Sequence, residues 1–164
     1  MPESVLTMVR VLLLLGIANG TPIFARKLFG KRFEMPLDGG LKFFDGRPLL
    51  GASKTLRGLL LALTCTTLAA PLLGFDWIIG AGLAGASMLG DLLSSFIKRR
   101  LARPLHSRAP ALDQIPESLL PLLLLRPQLG LNGGEIMFTV LLFIALELVL
   151  SRLLYRLRIR EQPY

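Results

Sequence analysis

The sequence predicts an all-α integral membrane protein with about five transmembrane helices and a structured cytoplasmic loop between the first two. Hydrophobic residues make up 52% of the 164 residues and the mean hydropathy is +0.59, which is too apolar for an ordinary water-soluble domain. The apolar residues lie in long blocks without alternation at period two, so a helical bundle is favoured over a membrane β-barrel. The length has room for one domain, and we expect residues 1–164 to form a single membrane-embedded domain.

Five apolar blocks are the candidate helices, and several approach the roughly 20 residues that cross the hydrocarbon core of a bilayer. In chain order they are Val5–Leu15 running on to Phe24, Leu56–Gly74, Trp77–Ile97, Ile115–Leu125 and Ile136–Leu154. The fourth block is short and contains Pro116, Glu117 and Pro121, so a re-entrant segment is the alternative there. We expect it to span, because the basic stretches that flank it should lie on the same side, which requires an even number of crossings.

The net charge is +8, and the position of the basic residues favours a membrane topology over nucleic-acid binding. Lys and Arg cluster in three stretches, each beside an apolar block: Arg26–Arg57, Lys98–Arg108 and Arg152–Arg160. The connections Gly74–Asp76 and Pro127–Glu135 contain neither residue type. By the positive-inside rule the three stretches should share the cytoplasmic face of the cell membrane, with the amino terminus outside and the carboxyl terminus inside.

Asp91 lies in the cytoplasmic third of an otherwise apolar predicted helix. An ionised carboxylate is costly there unless a cation or hydrogen-bond donors meet it, and such a residue usually marks a functional site. Ser94, Ser95 and Lys98 follow at helical spacing and should share its face. The alternative is an ion pair with a purely structural role. Glu147, in the last predicted helix, either pairs with an arginine of the bundle or faces a polar cavity.

Asp113 has two interpretations. It comes just before the fourth apolar block, where Asp is favoured as a helix cap. Paired with Asp91 across the mouth of two adjacent helices, it would instead hold a divalent cation, since Mg²⁺ usually takes one or two carboxylates together with water and substrate phosphates. The single histidine, His106, excludes a histidine-based metal cluster and is assigned no role.

The stretch Arg26–Arg57 is expected to be more than a connector, because Gly and Pro recur in it and long loops with internal structure are often functional. Its candidate binding residues are Asp38, Asp45, Arg47, Ser53, Lys54, Thr55 and Arg57. Cations and hydroxyls on a flexible turn suit a polyphosphate. The alternative is that the cations bind anionic lipid headgroups, although a pure lipid anchor has no need of acidic residues.

The segment Gly80–Gly85 fits the dinucleotide fingerprint G-x-G-x-x-G letter for letter. It lies inside a predicted membrane helix with no preceding strand, so close packing of helices explains these glycines better. We therefore expect no dinucleotide site here.

Four segments in order resemble the CDP-archaeol synthase family, the ether-lipid branch of the membrane CTP:phosphatidate cytidylyltransferases. They are PLDGG (36–40), DGRPL (45–49), G-x-x-K-T-x-R-G (51–58) and G-D-L-x-S-S-x-x-K-R-R (90–100). The resemblance extends from Asn19 to about Gln114. The phosphatidate branch continues with a Gly-His-Gly-Gly…Asp-Arg signature, whereas this chain has only Leu112-Asp113-Gln114. That fits the shorter archaeol-type pattern and disfavours ordinary phosphatidate as the substrate.

The resemblance implies transfer of CMP from CTP to a membrane lipid phosphate, giving a CDP-lipid and pyrophosphate, with Mg²⁺ as cofactor. The metal-side carboxylates would be Asp91 and Asp113. The cations that meet the phosphates would be Lys54, Arg57, Lys98 and Arg99. The nucleotide side of the loop would be shaped by Asp38, Asp45 and Arg47, with Ser53, Thr55 and Ser94 as further substrate-binding residues.

A second class of function is also compatible with the sequence. It is a non-catalytic membrane protein that binds anionic lipid or a partner through its basic cytoplasmic loops. A transporter is the least favoured, because the five short spans are accompanied by a cytoplasmic loop that resembles a catalytic one. Since short helices enclose little volume, the sequence is also compatible with a homodimer.

Overall fold

The computed structural model describes residues 3–103 and 112–158. Within these residues the prediction of an all-α protein is confirmed, because they form six helices and no β-strand. The helices are α1 (Glu3–Phe29), α2 (Leu56–Leu72), α3 (Trp77–Arg100), α4 (Gln114–Leu124), α5 (Arg126–Leu129) and α6 (Gly133–Arg156). Residues 104–111, with His106, and residues 159–160 of the third basic stretch lie outside the described residues.

Three helices, α1, α3 and α6, are long and apolar enough to cross a membrane. Helix α2 is apolar and has 17 residues. Helix α4 has only 11 residues, which at 1.5 Å per residue corresponds to about 16 Å, against a hydrocarbon core of about 30 Å. The count of five spans therefore stays a prediction, with α4 as its weakest member.

Helix α4 packs along α3 in the antiparallel direction. A Cβ atom added at Gly90 would lie 2.2 Å from the carbonyl oxygen of Pro116, in the first turn of α4. A Cβ atom at Gly82 would lie 3.3 Å from Leu125, just beyond the last turn. Small residues let helix backbones approach closely in membranes, so glycines on α3 set the position of α4.

Side chains fix the first residue of three of the helices. The hydroxyl of Thr55 accepts a hydrogen bond from the third amide of its helix (3.2 Å), and the carboxylate of Asp76 accepts one from the second (2.8 Å). Asn132 and Glu135 form a reciprocal capping box at the start of α6. These bonds supply partners that the first turn of a helix lacks.

The three basic stretches meet at one end of the bundle, called the basic end below. The Arg47 side chain donates to the carbonyl oxygen of Arg100 (2.6 Å), and Lys27 donates to that of Arg158 (3.3 Å). These contacts join the first stretch to the second and to the third. The three basic stretches thus lie at the same end of the bundle, as the distribution of Lys and Arg along the sequence predicts. The side of the membrane that this end faces stays a prediction.

The apolar core lies toward the opposite end, which contains the turn between α2 and α3 and the start of α6. Its buried members include Val11, Leu14, Leu15, Leu83, Leu122, Val140 and Phe143. Gly80 has a packing role here, because an added Cβ would lie 2.5 Å from the Cβ of Ala70 and 3.1 Å from the carbonyl oxygen of Thr66. Helices α2 and α3 are thus held in close contact at the end opposite the basic end.

The loop between α1 and α2 has internal backbone pairing. Residues 35–37 make hydrogen bonds of 2.7 and 3.0 Å with residues 54–56, which close the base of the loop. In its middle, residues 41–49 form a hairpin, called the loop hairpin below. Its backbone hydrogen bonds join Phe43 with Arg47 and Leu41 with Leu49, both at 2.8 Å. The closed base places Lys54 directly before α2.

Candidate functional site

A close ion pair joins Lys54 to Asp91. The Lys54 Nζ atom lies 2.5 Å from Asp91 Oδ2, and the two side chains are 21% and 25% exposed. Lys54 comes from the base of the loop, and Asp91 comes from the half of α3 nearer the basic end. A cation therefore meets the carboxylate that the sequence places inside an apolar helix, which offsets part of the cost of burying its charge.

An open cavity of about 70 Å³ lies beside this ion pair, among α1, α2 and α3. Its polar lining is formed by Ser53, Lys54, Thr55 and Asp91. Its other lining residues are Pro22, Leu37, Gly58, Leu59, Met88 and Leu92. One wall is thus suited to phosphate and hydroxyl groups, and the remainder is suited to a hydrocarbon chain.

A second ion pair lies two helical turns further along α3. The Lys98 Nζ atom is 2.7 Å from Asp113 Oδ1, and both side chains are mostly buried. Asp113 immediately precedes α4, yet its side chain makes no capping hydrogen bond. The interpretation of Asp113 as a helix cap is therefore not supported. Because Asp91 and Lys98 are seven residues apart, the two pairs lie on the same face of α3, as expected from the sequence.

Arg99 is nearly buried beside the second ion pair. Its Nη1 atom donates to the carbonyl oxygen of Arg103 (2.9 Å), just beyond the end of α3. This bond holds the Arg99 side chain against the segment that follows α3. A role for Arg99 toward a substrate phosphate stays a prediction.

Asp38 organises the backbone of the loop. One carboxylate oxygen accepts from the Gly40 amide (3.0 Å), and the other accepts from the amides of Leu50 (2.8 Å) and Gly51 (3.1 Å). Burial disfavours the charge of this carboxylate, but the three backbone hydrogen bonds outweigh burial and hold the pKa of Asp38 below its ordinary value. Asp38 thus fixes the loop immediately before Ser53 and Lys54.

Asp45 and Arg47 fasten the loop hairpin to the end of α3. Asp45 Oδ1 accepts from Arg100 Nη1 (2.9 Å), and Arg47 Nη1 donates to the Arg100 carbonyl oxygen (2.6 Å). Arg100 Nη2 also donates to the carbonyl oxygen of Pro48 (2.6 Å). Neither Asp45 nor Arg47 lines the cavity beside Lys54. They shape the loop, and direct binding of the nucleotide by them stays a prediction.

Arg57 is directed toward the end of α1. Its Nη1 atom donates to the carbonyl oxygens of Gly30 (3.1 Å) and Arg32, and its guanidinium lies 5.9 Å from the ring centroid of Phe29. The described cavity is not lined by this residue. The structure brings Lys54 and Asp91 together and places Arg57 on a neighbouring surface, so its part in catalysis stays a prediction.

The two predicted hydroxyl groups on helices make local hydrogen bonds. Thr55 Oγ1 caps α2, and Ser94 Oγ donates to the carbonyl oxygen of Asp91 (2.9 Å). Thr55 also lines the cavity, together with Ser53. Its oxygen is an acceptor in the cap, so the hydroxyl hydrogen is still available to an anion.

The structure adds a buried carboxyl group that the sequence did not single out as a site residue. Glu117, in the first turn of α4, is 5% exposed, and its side chain interacts with that of Glu147 in α6. Asp91 and Lys54 are close enough to act on Glu117 electrostatically. The signal for this contact in the sequence was an acidic residue in each of two neighbouring apolar blocks. The sequence left the partner of Glu147 open, and in the structure that partner is Glu117.

The arrangement is suited to binding polyanions at the end of a membrane bundle. Two lysines and several arginines converge there, and the lysines are held by carboxylates and not by permanent backbone partners. An incoming phosphate can replace a carboxylate at an ammonium group. The described residues contain no group of three or more His, Cys, Asp or Glu side chains that could hold a metal by themselves.

Comparisons with known proteins agree with this chemistry. The family model described as CarS-like, CDP-archaeol synthase, matches residues 74–164. A CDP-archaeol synthase of Sulfolobus acidocaldarius is 38% identical over 90% of this chain and 91% of that protein. The CDP-archaeol synthase of Methanococcus aeolicus is 31% identical over 88% of each chain. A solved structure of an intramembrane enzyme for archaeal membrane lipids biosynthesis matches with a TM-score of 0.75 and 28% identity, over 87% of this chain and 91% of that one.

Proposed function

The chain belongs to the CDP-archaeol synthase family, and we propose that it transfers CMP from CTP to the phosphate of an archaeol-type membrane lipid. An oxygen of the lipid phosphate attacks the α-phosphorus of CTP. The bond from that phosphorus to the bridging oxygen breaks, and its electron pair leaves with pyrophosphate. The observation that carries the proposal is the ion pair of Lys54 and Asp91, in a cavity that is polar on one wall and apolar elsewhere.

The chemistry requires charge neutralisation and positioning more than a protein nucleophile. A lipid phosphate is itself a nucleophile, but it must approach a triphosphate that is also strongly negative. Lys54 and Lys98 provide cations on one face of the site, each within 2.7 Å of a carboxylate oxygen. We expect substrate phosphates to replace these carboxylates at the ammonium groups. The two lysines would then neutralise the negative charge of CTP and of the lipid phosphate where these substrates meet.

We propose Mg²⁺ as the cofactor of this site. Asp91 and Asp113 provide hard oxygen ligands, and Mg²⁺ needs only one or two protein carboxylates when substrate phosphates and water complete its shell. When bound, it would neutralise charge on the phosphates and favour departure of pyrophosphate. The two lysines would then hold phosphate oxygens, and Asp38 would keep the loop in place through its backbone hydrogen bonds.

The apolar part of the cavity is suited to the lipid. Leu59 of α2 and Met88 and Leu92 of α3 lie beside the polar wall. A lipid could therefore place its phosphate beside Lys54 while its chains remain in an apolar environment. The positive-inside rule predicts that this end of the bundle faces the cytoplasm, where CTP is present. A homodimer stays a prediction from the sequence.

The test is pyrophosphate release by the purified protein in detergent. CTP and Mg²⁺ would be supplied with a panel of lipid phosphates that carry ether-linked, ester-linked, saturated or polyprenyl chains. We expect release that requires CTP and a lipid phosphate, that is greatest with the ether-linked polyprenyl substrate, and that stops when a chelator is added. ATP, GTP and UTP are the matched nucleotide controls.

Failure of this test would favour the second class of function. If protein shown to be folded released no pyrophosphate with any lipid, the basic end would be a lipid-binding or partner-binding surface. If release occurred but survived chelation, the proposed transfer would stand and the Mg²⁺ assignment would be wrong.

A further inference from the structure

The loop hairpin has two adjacent aromatic residues with different surroundings. The ring of Phe43 packs edge-on against Phe96 of α3, with 5.4 Å between the centroids, and the guanidinium of Arg100 lies 4.6 Å from the centroid of Phe43. The side chain of Phe44, one residue later, is 100% exposed. Phe43 therefore contributes to holding the hairpin against α3, whereas Phe44 has no comparable burial within the described protein.

The hairpin is held in one position along α3. Arg100 donates to Asp45 and to the carbonyl oxygen of Pro48, while Arg47 donates back to the Arg100 carbonyl oxygen. The hairpin also closes on itself, because the Gly46 amide donates to the Phe43 carbonyl oxygen (2.8 Å). An exposed side chain at its tip is thus presented by a defined structure.

The contact with Phe96 gives the depth of the hairpin. The midpoint of α3 lies at Met88 and Leu89, so Phe96 is about eight residues toward the basic end. At 1.5 Å per residue this is about 12 Å, which is inside the half-thickness of about 15 Å of a hydrocarbon core centred on α3. A hydrocarbon core centred on α3 would therefore place Phe43, which contacts Phe96, near the boundary between acyl chains and headgroups.

We propose that the loop hairpin inserts into the lipid leaflet at the basic end, with Phe44 at its tip and Leu41 at its base against the acyl chains and Lys42 among the headgroups. Leu41 is 64% exposed and Lys42 is exposed between these two apolar residues. Aromatic residues favour this depth of the membrane, and cations beside them bind anionic headgroups.

An anionic leaflet fits this surface better than a second copy of the chain. The hairpin carries two exposed cations, Lys42 and Arg47, and the chain carries a net charge of +8. Two basic ends brought face to face would repel each other, whereas lipid phosphates complement them. The proposal concerns contact with the membrane and does not depend on the proposed reaction.

The experiment places a tryptophan at the tip and measures its depth. Trp77 is the only tryptophan and lies near the opposite end, so Phe44→Trp is made in a Trp77→Phe background. The protein is reconstituted in vesicles of phosphatidylglycerol and phosphatidylcholine, in which the phosphatidylcholine is brominated near the top or near the end of its acyl chains. Leu141→Trp in the same background is the matched control, because Leu141 is exposed near the middle of α6.

We expect the tryptophan at position 44 to be quenched most strongly by bromine near the top of the chains and to be shielded from aqueous iodide. The tryptophan at position 141 should be quenched most strongly by the deeper bromine. Iodide quenching at position 44 without lipid quenching would place the hairpin in water and overturn the proposal. Shielding from both quenchers would show that protein covers the tip, which would also overturn it.

Discussion

The two ends of the bundle use polar residues differently. At the opposite end, Asp76 caps α3 by accepting a hydrogen bond from an amide two residues later in the chain. Asn132 and Glu135, three residues apart, cap α6 by bonding to each other's backbone amides. At the basic end, two of the side-chain ion pairs join elements that are distant in the chain. Lys54 reaches Asp91 across 37 positions, and Asp45 reaches Arg100 across 55.

This difference separates residues that start helices from residues that are available to a ligand. A capping group replaces a hydrogen bond that the helix lacks, so its loss affects stability more than chemistry. An ion pair of lysine and carboxylate can instead open when a stronger anion arrives. We therefore expect the functional site at the basic end, because its charged side chains pair with one another and are not used as helix caps.

The largest expected effect comes from breaking the pair at the basic end. Asp91→Asn preserves size but removes the charge that holds Lys54 and the oxygen ligand proposed for Mg²⁺. We expect kcat/KM for CTP to fall by roughly a hundredfold or more, as for loss of a group that stabilises the transition state, with thermal unfolding in detergent close to that of the parent protein.

The control is a carboxylate at the opposite end. Asp76→Ala removes the cap of α3 and should lower the free energy of unfolding by about 1 kcal/mol without changing kcat/KM. Full turnover by Asp91→Asn would show that the assignment of Asp91 is wrong. An equal loss of activity in both variants would remove the distinction between the two ends.

A second prediction concerns the glycines that bring α3 into contact with its neighbours. In Gly90→Ala the new Cβ would lie 2.2 Å from the Pro116 carbonyl oxygen, and backbone atoms have little freedom to move away. We expect a loss of about 3 kcal/mol in the free energy of unfolding, the upper part of the usual range for overpacking. Activity should fall as well, because displacement of α4 would also displace Asp113, which precedes this helix and pairs with Lys98.

Gly85→Ala is the matched variant in the same helix. Its new Cβ would meet only the flexible end of Leu63, at 3.9 Å. We expect it to be neutral or to stabilise the helix by up to about 1 kcal/mol, since alanine loses less backbone entropy than glycine. Thermal unfolding of both variants in the same detergent checks the comparison, and equal midpoints would contradict the close packing of α3 and α4.

The apolar pattern predicted most of the helices because a membrane requires long runs without charge. The block Leu56–Gly74 corresponds to α2 (Leu56–Leu72), and Trp77–Ile97 corresponds to most of α3. The end of α1 was harder to place, since it continues to Phe29 through Arg26 and Lys27. Basic residues are favourable in the last turn of a helix, where they complement the helix dipole. The sequence therefore changes from apolar to basic before the helix ends.

The pairing of side chains could not be predicted to the same extent. Hydropathy does not distinguish the lipid-facing side of a membrane helix from its core-facing side, because both are apolar. The sequence therefore indicated Lys54 and Asp91 as site residues without indicating that they meet. It also left the partner of Glu147 open, because contact with Glu117 depends on how α4 and α6 are rotated toward each other.

A smaller effect is expected from the loop that carries Lys54. The folded pKa of Asp38 lies below its ordinary value, so its contribution to stability is complete above the unfolded pKa of about 4 and is lost as pH falls through the folded pKa. Asp38→Asn should cost about 1–2 kcal/mol, because the Leu50 and Gly51 amides lose a charged acceptor.

Hydrogen exchange of these two amides measures the effect of Asp38. In the parent protein we expect their protection, corrected for the intrinsic exchange rate, to decrease as pH is lowered below about 4. In Asp38→Asn protection should be weaker at neutral pH and should no longer depend on pH through this group. Unchanged protection in the variant would contradict the role of Asp38 in the loop.

The smallest effect should come from the pair of Asp45 and Arg100, which tests whether every ion pair at the basic end is alike. Its carboxylate is 36% exposed, so water and salt weaken the attraction, and a double-mutant cycle with Asp45→Asn and Arg100→Gln should give a coupling energy of about 0.2–1 kcal/mol. The coupling should decrease in high salt. The cycle measured on kcat/KM should likewise give little coupling, because these residues fasten the hairpin and do not line the cavity beside Lys54. A coupling energy on kcat/KM as large as the effect of Asp91→Asn would place Asp45 at the reacting phosphates and extend the site from the cavity to the loop hairpin.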